Sequence, residues 1–313
     1  MEQKFNPAPR PLLPPIAAIP PGTFPGLESL YKACRQIYPD QPNPLQVTAV
    51  VKFWLGGPDP LDYVSMYLNP GNPELQVDPH WHYISFGLSD LHGDGRVHQV
   101  SRADTPSGFG FELTFRLKKE PQETAPPTWP AALMQALAKY VFLSENSLFP
   151  GDHVSWHCPL DNSESRIQHM LMTEDPQLKT VSTPYGSVTF IQVVGICEEE
   201  LRAAQGWNGQ GVMELLTTVS GAGGPWAVTD MRRGESVALA NVVGWDIFNS
   251  LIHLEDVYNP AHRLSEGSAI NGRYRCLSVV TENMGLAADY AYYILDQQEK
   301  KLNLEQVTYN LGV

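Results

Sequence analysis

The sequence predicts an α+β protein: a mixed, mainly antiparallel β-sheet with packed helices. Three observations carry that expectation. Segments that read as strands outnumber helical ones and do not alternate regularly with them, which argues against a βαβ architecture. The segment Phe109–Leu117 alternates strictly, with Phe109, Phe111, Leu113, Phe115 and Leu117 on one side and Glu112, Thr114, Arg116 and Lys118 on the other. Apolar residues make up 42% of the 313 and charged residues 18%, enough for a sizeable core.

The elements follow in chain order. Seven prolines between Pro7 and Pro21 keep residues 1–25 out of helix and sheet, so a disordered Pro-rich arm is expected there. A first helix is predicted over Leu27–Tyr38, with Leu27, Leu30, Tyr31, Cys34, Ile37 and Tyr38 on its apolar face. Val47, Ala49, Val51 and Phe53 then alternate with polar neighbours as a half-buried strand. The breaker run Gly56-Gly57-Pro58-Asp59-Pro60 leads to strands at Tyr63–Tyr67 and His82–Leu88.

Phe109–Leu117 is expected to be the central strand, one face core and the other wet, with Arg116 exposed. A helix follows Thr128-Trp129-Pro130, with Thr128 as N-cap and Leu133, Met134, Leu137, Tyr140 and Val141 buried. Further strands are predicted at His153–Trp156, Ser187–Cys197 and Trp226–Asp230, and helices at Glu198–Ala204, Gly211–Val219 and Leu286–Lys301. Three regions result: the arm at 1–25, a folded domain at 26–236 and a tail at 237–313 of different texture.

Composition narrows the function. A formal charge of −13 disfavours nucleic acid and anionic membrane surfaces, which reward Lys and Arg. No stretch of eighteen apolar residues is present to span a bilayer. Cys34, Cys158, Cys197 and Cys276 have no CxxC spacing and read as reduced, buried thiols of the cytosol or nucleus.

No constellation specifies an active site. His80 and His82 share one face of a strand, as two metal ligands would, but neither HExxH nor a cysteine partner accompanies them, and packed histidines are the plainer reading. There is no Gly-x-Ser-x-Gly elbow. Gly206-Trp207-Asn208-Gly209-Gln210-Gly211 lacks the Lys-Ser/Thr of a phosphate loop, so Gly209 and Gly211 read as turn residues. The residues therefore favour a binding protein without cofactor over an enzyme.

Several ordered strings resemble one family. They are Tyr38-Pro39-Asp40-Gln41-Pro42-Asn43-Pro44, Trp54-Leu55-Gly56-Gly57-Pro58-Asp59-Pro60, His80-Trp81-His82-Tyr83-Ile84-Ser85-Phe86-Gly87, Ser107-Gly108-Phe109-Gly110-Phe111, Trp207-Asn208-Gly209-Gln210-Gly211 and Thr229-Asp230-Met231-Arg232-Arg233-Gly234. Together they resemble the N-terminal lobe of the Suppressor of fused family in its animal form, over about residues 27–235. The tail does not match the family's second lobe.

The resemblance implies a negative regulator of Hedgehog signalling, in cytoplasm and nucleus, that sequesters Gli-family zinc-finger transcription factors. In the family a short Gli peptide adds as a strand between the two lobes. The alternative is a truncated form that binds partners as a decoy without full Gli silencing. By the same resemblance Tyr140 borders the peptide and Asp152 accepts a hydrogen bond from its histidine. The strand after Asp152, His153, Val154, Ser155 and Trp156, forms the edge that receives it. Without the resemblance, Tyr140 reads as a helix residue packed on the sheet and Asp152 as a turn-former.

Overall fold

The structure is a computed structural model that describes residues 24–99, 104–206, 208–218, 222–234, 278–281 and 286–289. Its centre is an eight-stranded sheet. The first four strands form an antiparallel meander: β1 (Leu45–Thr48), β2 (Tyr63–Asn69), β3 (His80–Phe86) and β4 (Pro106–Lys118). Later come β5 (His153–Val154), β6 (His169–Glu174), β7 (Val181–Thr183) and β8 (Gly186–Ile196). Strand β8 lies parallel to β4 and antiparallel to β6 and β7, and β5 closes the far edge against β6. The order β1-β2-β3-β4-β8-β6-β5 makes Phe109–Leu117 central, with a single parallel pairing in a mainly antiparallel sheet.

Helices cover both faces. Helix α2 (Trp129–Ser144) lays Leu133, Met134, Leu137, Ala138 and Val141 on one face, against Tyr83, Phe111, Leu113, Phe115, Met170 and Val193. On the other face α1 (Pro25–Ile37) packs Leu30 and Cys34 against Tyr67, Ile84, Phe86 and Phe190. Further along that face, α3 (Glu198–Gly206) and α4 (Gly209–Thr218) cover Leu171, Val194 and Ile196.

Between these two apolar patches lies a buried polar network, and it overturns the expected wet face of β4. Arg116 is 0% exposed, and Glu112 and Thr114 are buried beside it. All the N–H donors of the guanidinium are used: Nε to Gln192 Oε1, Nη1 to His80 Nε2 and Gln177 Oε1, and Nη2 to both oxygens of Asp175. Asp175 also accepts from His82 Nε2 at 3.0 Å and Thr114 Oγ1 at 2.9 Å. Tyr38 donates to His82 Nδ1, His80 Nδ1 donates to the Asp78 carbonyl, and Trp226 lies over the guanidinium. The alternation of β4 therefore separates an apolar interior from a polar one. Charge marks this face because its partners are ionic and hydrogen-bonded, which is how a buried charge is tolerated.

Several boundaries differ from expectation. The strand predicted over Val47–Phe53 ends at Thr48, and Val50 and Val51 are exposed. Gly57 folds back to donate to the Lys52 carbonyl, and Phe53–Leu55 becomes a single 3-10 turn closed by Gly56 at φ +87°. Trp226–Asp230 forms no strand, because Gln192 Nε2 donates to the carbonyls of Trp226 and Ala227 and takes them out of any ladder. Only Thr229 bridges to β4, at Leu117. Thr128 precedes α2, but its hydroxyl caps nothing. Cys34 and Cys197 are buried free thiols as expected, whereas Cys158 is exposed on a loop.

In the tail, Ser278–Thr281 (β9) and Leu286–Asp289 (β10) pair antiparallel, so the helix predicted over Leu286–Lys301 begins as a strand. The arm to residue 23, and residues 235–277 and 290–313, lie outside the described residues.

Candidate functional site

The site predicted from the resemblance gathers at the end of α2 and the β5 edge. Tyr140 occupies the last turns of α2 and is 49% exposed, so it does not belong to the buried face predicted for that helix. The buried stripe of α2 runs through Leu133, Met134, Leu137, Ala138 and Val141, and Tyr140 falls about 100° of helical rotation away from its centre, which explains the change. Leu143 beside it is 87% exposed, and Phe149 and Trp156 are also exposed. An apolar surface of this kind on one stretch of chain is a mark of a contact site.

Asp152 is the hinge between the 145–152 loop and β5. Its Oδ2 accepts the Phe149 N–H at 2.8 Å, and its own N–H donates to the Phe149 carbonyl. Its carbonyl accepts from Met172 N, which ties the turn to β6. Gly151 and Gly209 permit this arrangement. A Cβ on Gly209 would lie 2.0 Å from the Gly151 carbonyl oxygen, so α4 starts with glycine because another backbone passes there, and not to make a turn.

The four residues after Asp152 divide into two pairs. His153 and Val154 form β5, opposite Leu171 and Met170. Burial lowers the pKa of His153, while Asp152 beside it acts in the opposite direction. Val154 packs on the α2-side core. Ser155 and Trp156 lie beyond the strand, in contrast to the predicted strand His153–Trp156. There the imidazole of His169 captures the backbone: Nδ1 accepts the N–H of Trp156 at 3.2 Å and of His157 at 3.4 Å. His157 takes a left-handed φ of +61° and turns the chain away. Ser155 Oγ accepts from Gln205 of α3. Among the described residues, no strand pairs with the outer side of β5.

The histidines singled out in the sequence lie elsewhere. His80 and His82 belong to the buried Arg116–Asp175 network, with all four ring nitrogens engaged, so no lone pair is left for a metal. A different trio was missed: His157, His169 and Glu198 each bring one ligand atom within 4.8 Å of the others. They come from the loop after β5, the start of β6 and the first turn of α3, a spacing that no short motif reveals.

Comparison with known proteins matches the chain to the family described as Suppressor of fused protein, over residues 57–234. The human and mouse Suppressor of fused homologs are each 71% identical over 212 residues, covering 68% of this chain and 44% of theirs. The chain thus spans less than half the length of these curated relatives. A chain in the crystal structure of the Sufu–Fu complex superposes with a TM-score of 0.68 at 49% identity, covering 70% of this chain and 96% of that one. The crystal structure of Drosophila Suppressor of Fused gives 0.65 at 48% identity, over 74% of this chain and 54% of that one. The family match spans more than half of the sequence, the identity is high, and the same fold recurs in the solved relatives: the chain belongs to the Suppressor of fused family.

Proposed function

We propose that this chain is a Hedgehog-pathway regulator that acts by binding partner proteins in cytoplasm and nucleus, and that Gli-family transcription factors bind at its β5 edge. The observation that carries this reading is the outer side of β5, on which no strand pairs among the described residues, next to exposed Tyr140 and Trp156. An open edge offers backbone donors and acceptors to an added strand, and nearby aromatic side chains supply selectivity. Membership of the family supports the pathway assignment. The Sufu–Fu complex supports partner binding by this region, since nearly all of the matched chain corresponds to residues present here.

The strand is short, because His169 removes Trp156 from the ladder. A peptide on this edge therefore gains few backbone bonds and depends on side-chain contacts. Asp152 keeps its Oδ2 on Phe149 N–H, so a partner imidazole would share a carboxylate already held in place. Titration of the purified chain with a histidine-containing Gli peptide tests this. Asp152→Ala and Tyr140→Ala should each weaken binding by roughly ten- to a hundredfold. Equal affinity in all three proteins would remove this edge from the site.

A further inference from the structure

We infer that His157, His169 and Glu198 form a binding site for a divalent transition metal of the zinc class, and that occupying it turns the Trp156–His157 backbone away from His169. Two imidazoles and one carboxylate are a donor set that zinc accepts, with a fourth position left open. The three ligand atoms lie within 4.8 Å of one another, and His169 Nε2 is 2.8 Å from Glu198 Oε2. In a tetrahedral zinc site neighbouring ligands stand about 3.3 Å apart. His169 and Glu198, at 2.8 Å, stand within about half an ångström of that spacing, and His157 lies no more than 4.8 Å from either.

Burial is graded to suit an open site: His169 is buried, Glu198 half-buried and His157 exposed. The deep ligand is fixed by its hydrogen bonds and the outer one lies at the surface, so the fourth position opens toward solvent and takes a water. The rings of His157 and His169 stand 5.0 Å apart at 84°, so they converge without stacking. His157 holds a left-handed backbone conformation uncommon outside glycine, and such outliers concentrate at functional sites.

The coupling follows from proton position. His169 Nδ1 accepts two backbone N–H groups, so its single proton sits on Nε2 and is donated to Glu198. A metal on Nε2 sends that proton to Nδ1, where it meets the donors of Trp156 and His157. Both contacts are already long, at 3.2 and 3.4 Å, and they give way. Arg202 holds the other oxygen of Glu198 and leaves Oε2 for the metal.

The test uses the full chain, stripped with a chelator and titrated with zinc chloride by calorimetry, with amide NMR on the loaded protein. One equivalent of zinc is expected. His157→Ala and Glu198→Gln, both at accessible positions, should each weaken it at least tenfold while circular dichroism stays unchanged. Glu214→Gln, on an exposed position of α4, should bind like the parent. The amide signals of Trp156 and His157 should shift on loading. No stoichiometric uptake, or uptake undiminished in His157→Ala, overturns the site. Binding that leaves both amides unmoved overturns the coupling.

Discussion

The two faces of the central sheet solve burial in different ways. On the α2 face, β4 presents Phe111, Leu113, Phe115 and Leu117 to a continuous apolar core. On the opposite face the same strand presents Glu112, Thr114 and Arg116, equally buried, between two separate apolar patches. Glu112 gathers donors from Ser85, Gly87, Leu88 and Ser89, and Arg116 gathers acceptors from three elements. An alternating strand thus shows where the faces differ in chemistry; it does not show which is wet. The apolar face is non-directional and tolerates rearrangement, whereas the polar face holds only if every partner arrives.

The sharpest break should come from one partner lost on the polar face. Arg116→Ala leaves Asp175 charged in the interior without its guanidinium counter-ion, and stability should fall by about 3–5 kcal/mol in chemical denaturation. On the apolar face Leu113→Ala should cost about 2–5 kcal/mol, through lost transfer energy and a cavity. If Arg116→Ala cost less than 1 kcal/mol, the network would contribute little and the contrast between the faces would fail.

Acid should separate the faces next. Burial and the Arg116 charge lower the pKa of His80 to about 3 and of His82 to about 4. Unfolded, each titrates near 6.5, so below that pH the unfolded chain binds more protons. Stability is full above about pH 6.5 and falls as pH drops toward 4, by up to about 1.4 kcal/mol per pH unit per histidine. Burial raises the pKa of Asp175, but Arg116 and His82 more than offset that and hold it below the usual carboxylate range. It adds a further loss below about pH 4. Denaturation curves from pH 7.5 to 4.5 should show this slope, and His82→Gln should flatten it. Leu113→Ala should shift the whole curve without altering its slope.

The smallest effect on stability belongs to the candidate edge. Tyr140→Ala removes an exposed side chain and should change stability by no more than about 0.5 kcal/mol, while weakening the partner. A large loss of stability would make Tyr140 a packing residue and sink its proposed role.

Much of the fold was legible in the sequence. Hydrophobic periodicity located α1, α2, β4 and β8 to within a few residues, because each buries an apolar stripe that periodicity records. The burial of Arg116 was not legible, since a charged residue alternating with apolar ones looks the same whether it meets water or Asp175. The ends of β1 and β5 were set by side chains and loops returning from a distance: Gly57 to Lys52, and His169 to Trp156. For the site, Tyr140 and Asp152 came from family resemblance, and residue chemistry alone favoured packing and a turn. The His157–His169–Glu198 trio depends on tertiary assembly, which spacing cannot reveal.

The single parallel pairing has a consequence for how the molecule forms. The meander β1 to β4 assembles from neighbours in sequence, but β4 then waits for β8, with Phe115 meeting Val193 only after α2, β5, β6 and β7 have intervened. Such non-local closure is slow, because chain entropy is lost before the contacts form. During synthesis, β4 leaves the ribosome as an open edge flanked by Phe111, Leu113 and Phe115, with Arg116 lacking Asp175. The interval before β8 arrives is when this chain is most exposed to mispairing and to chaperones.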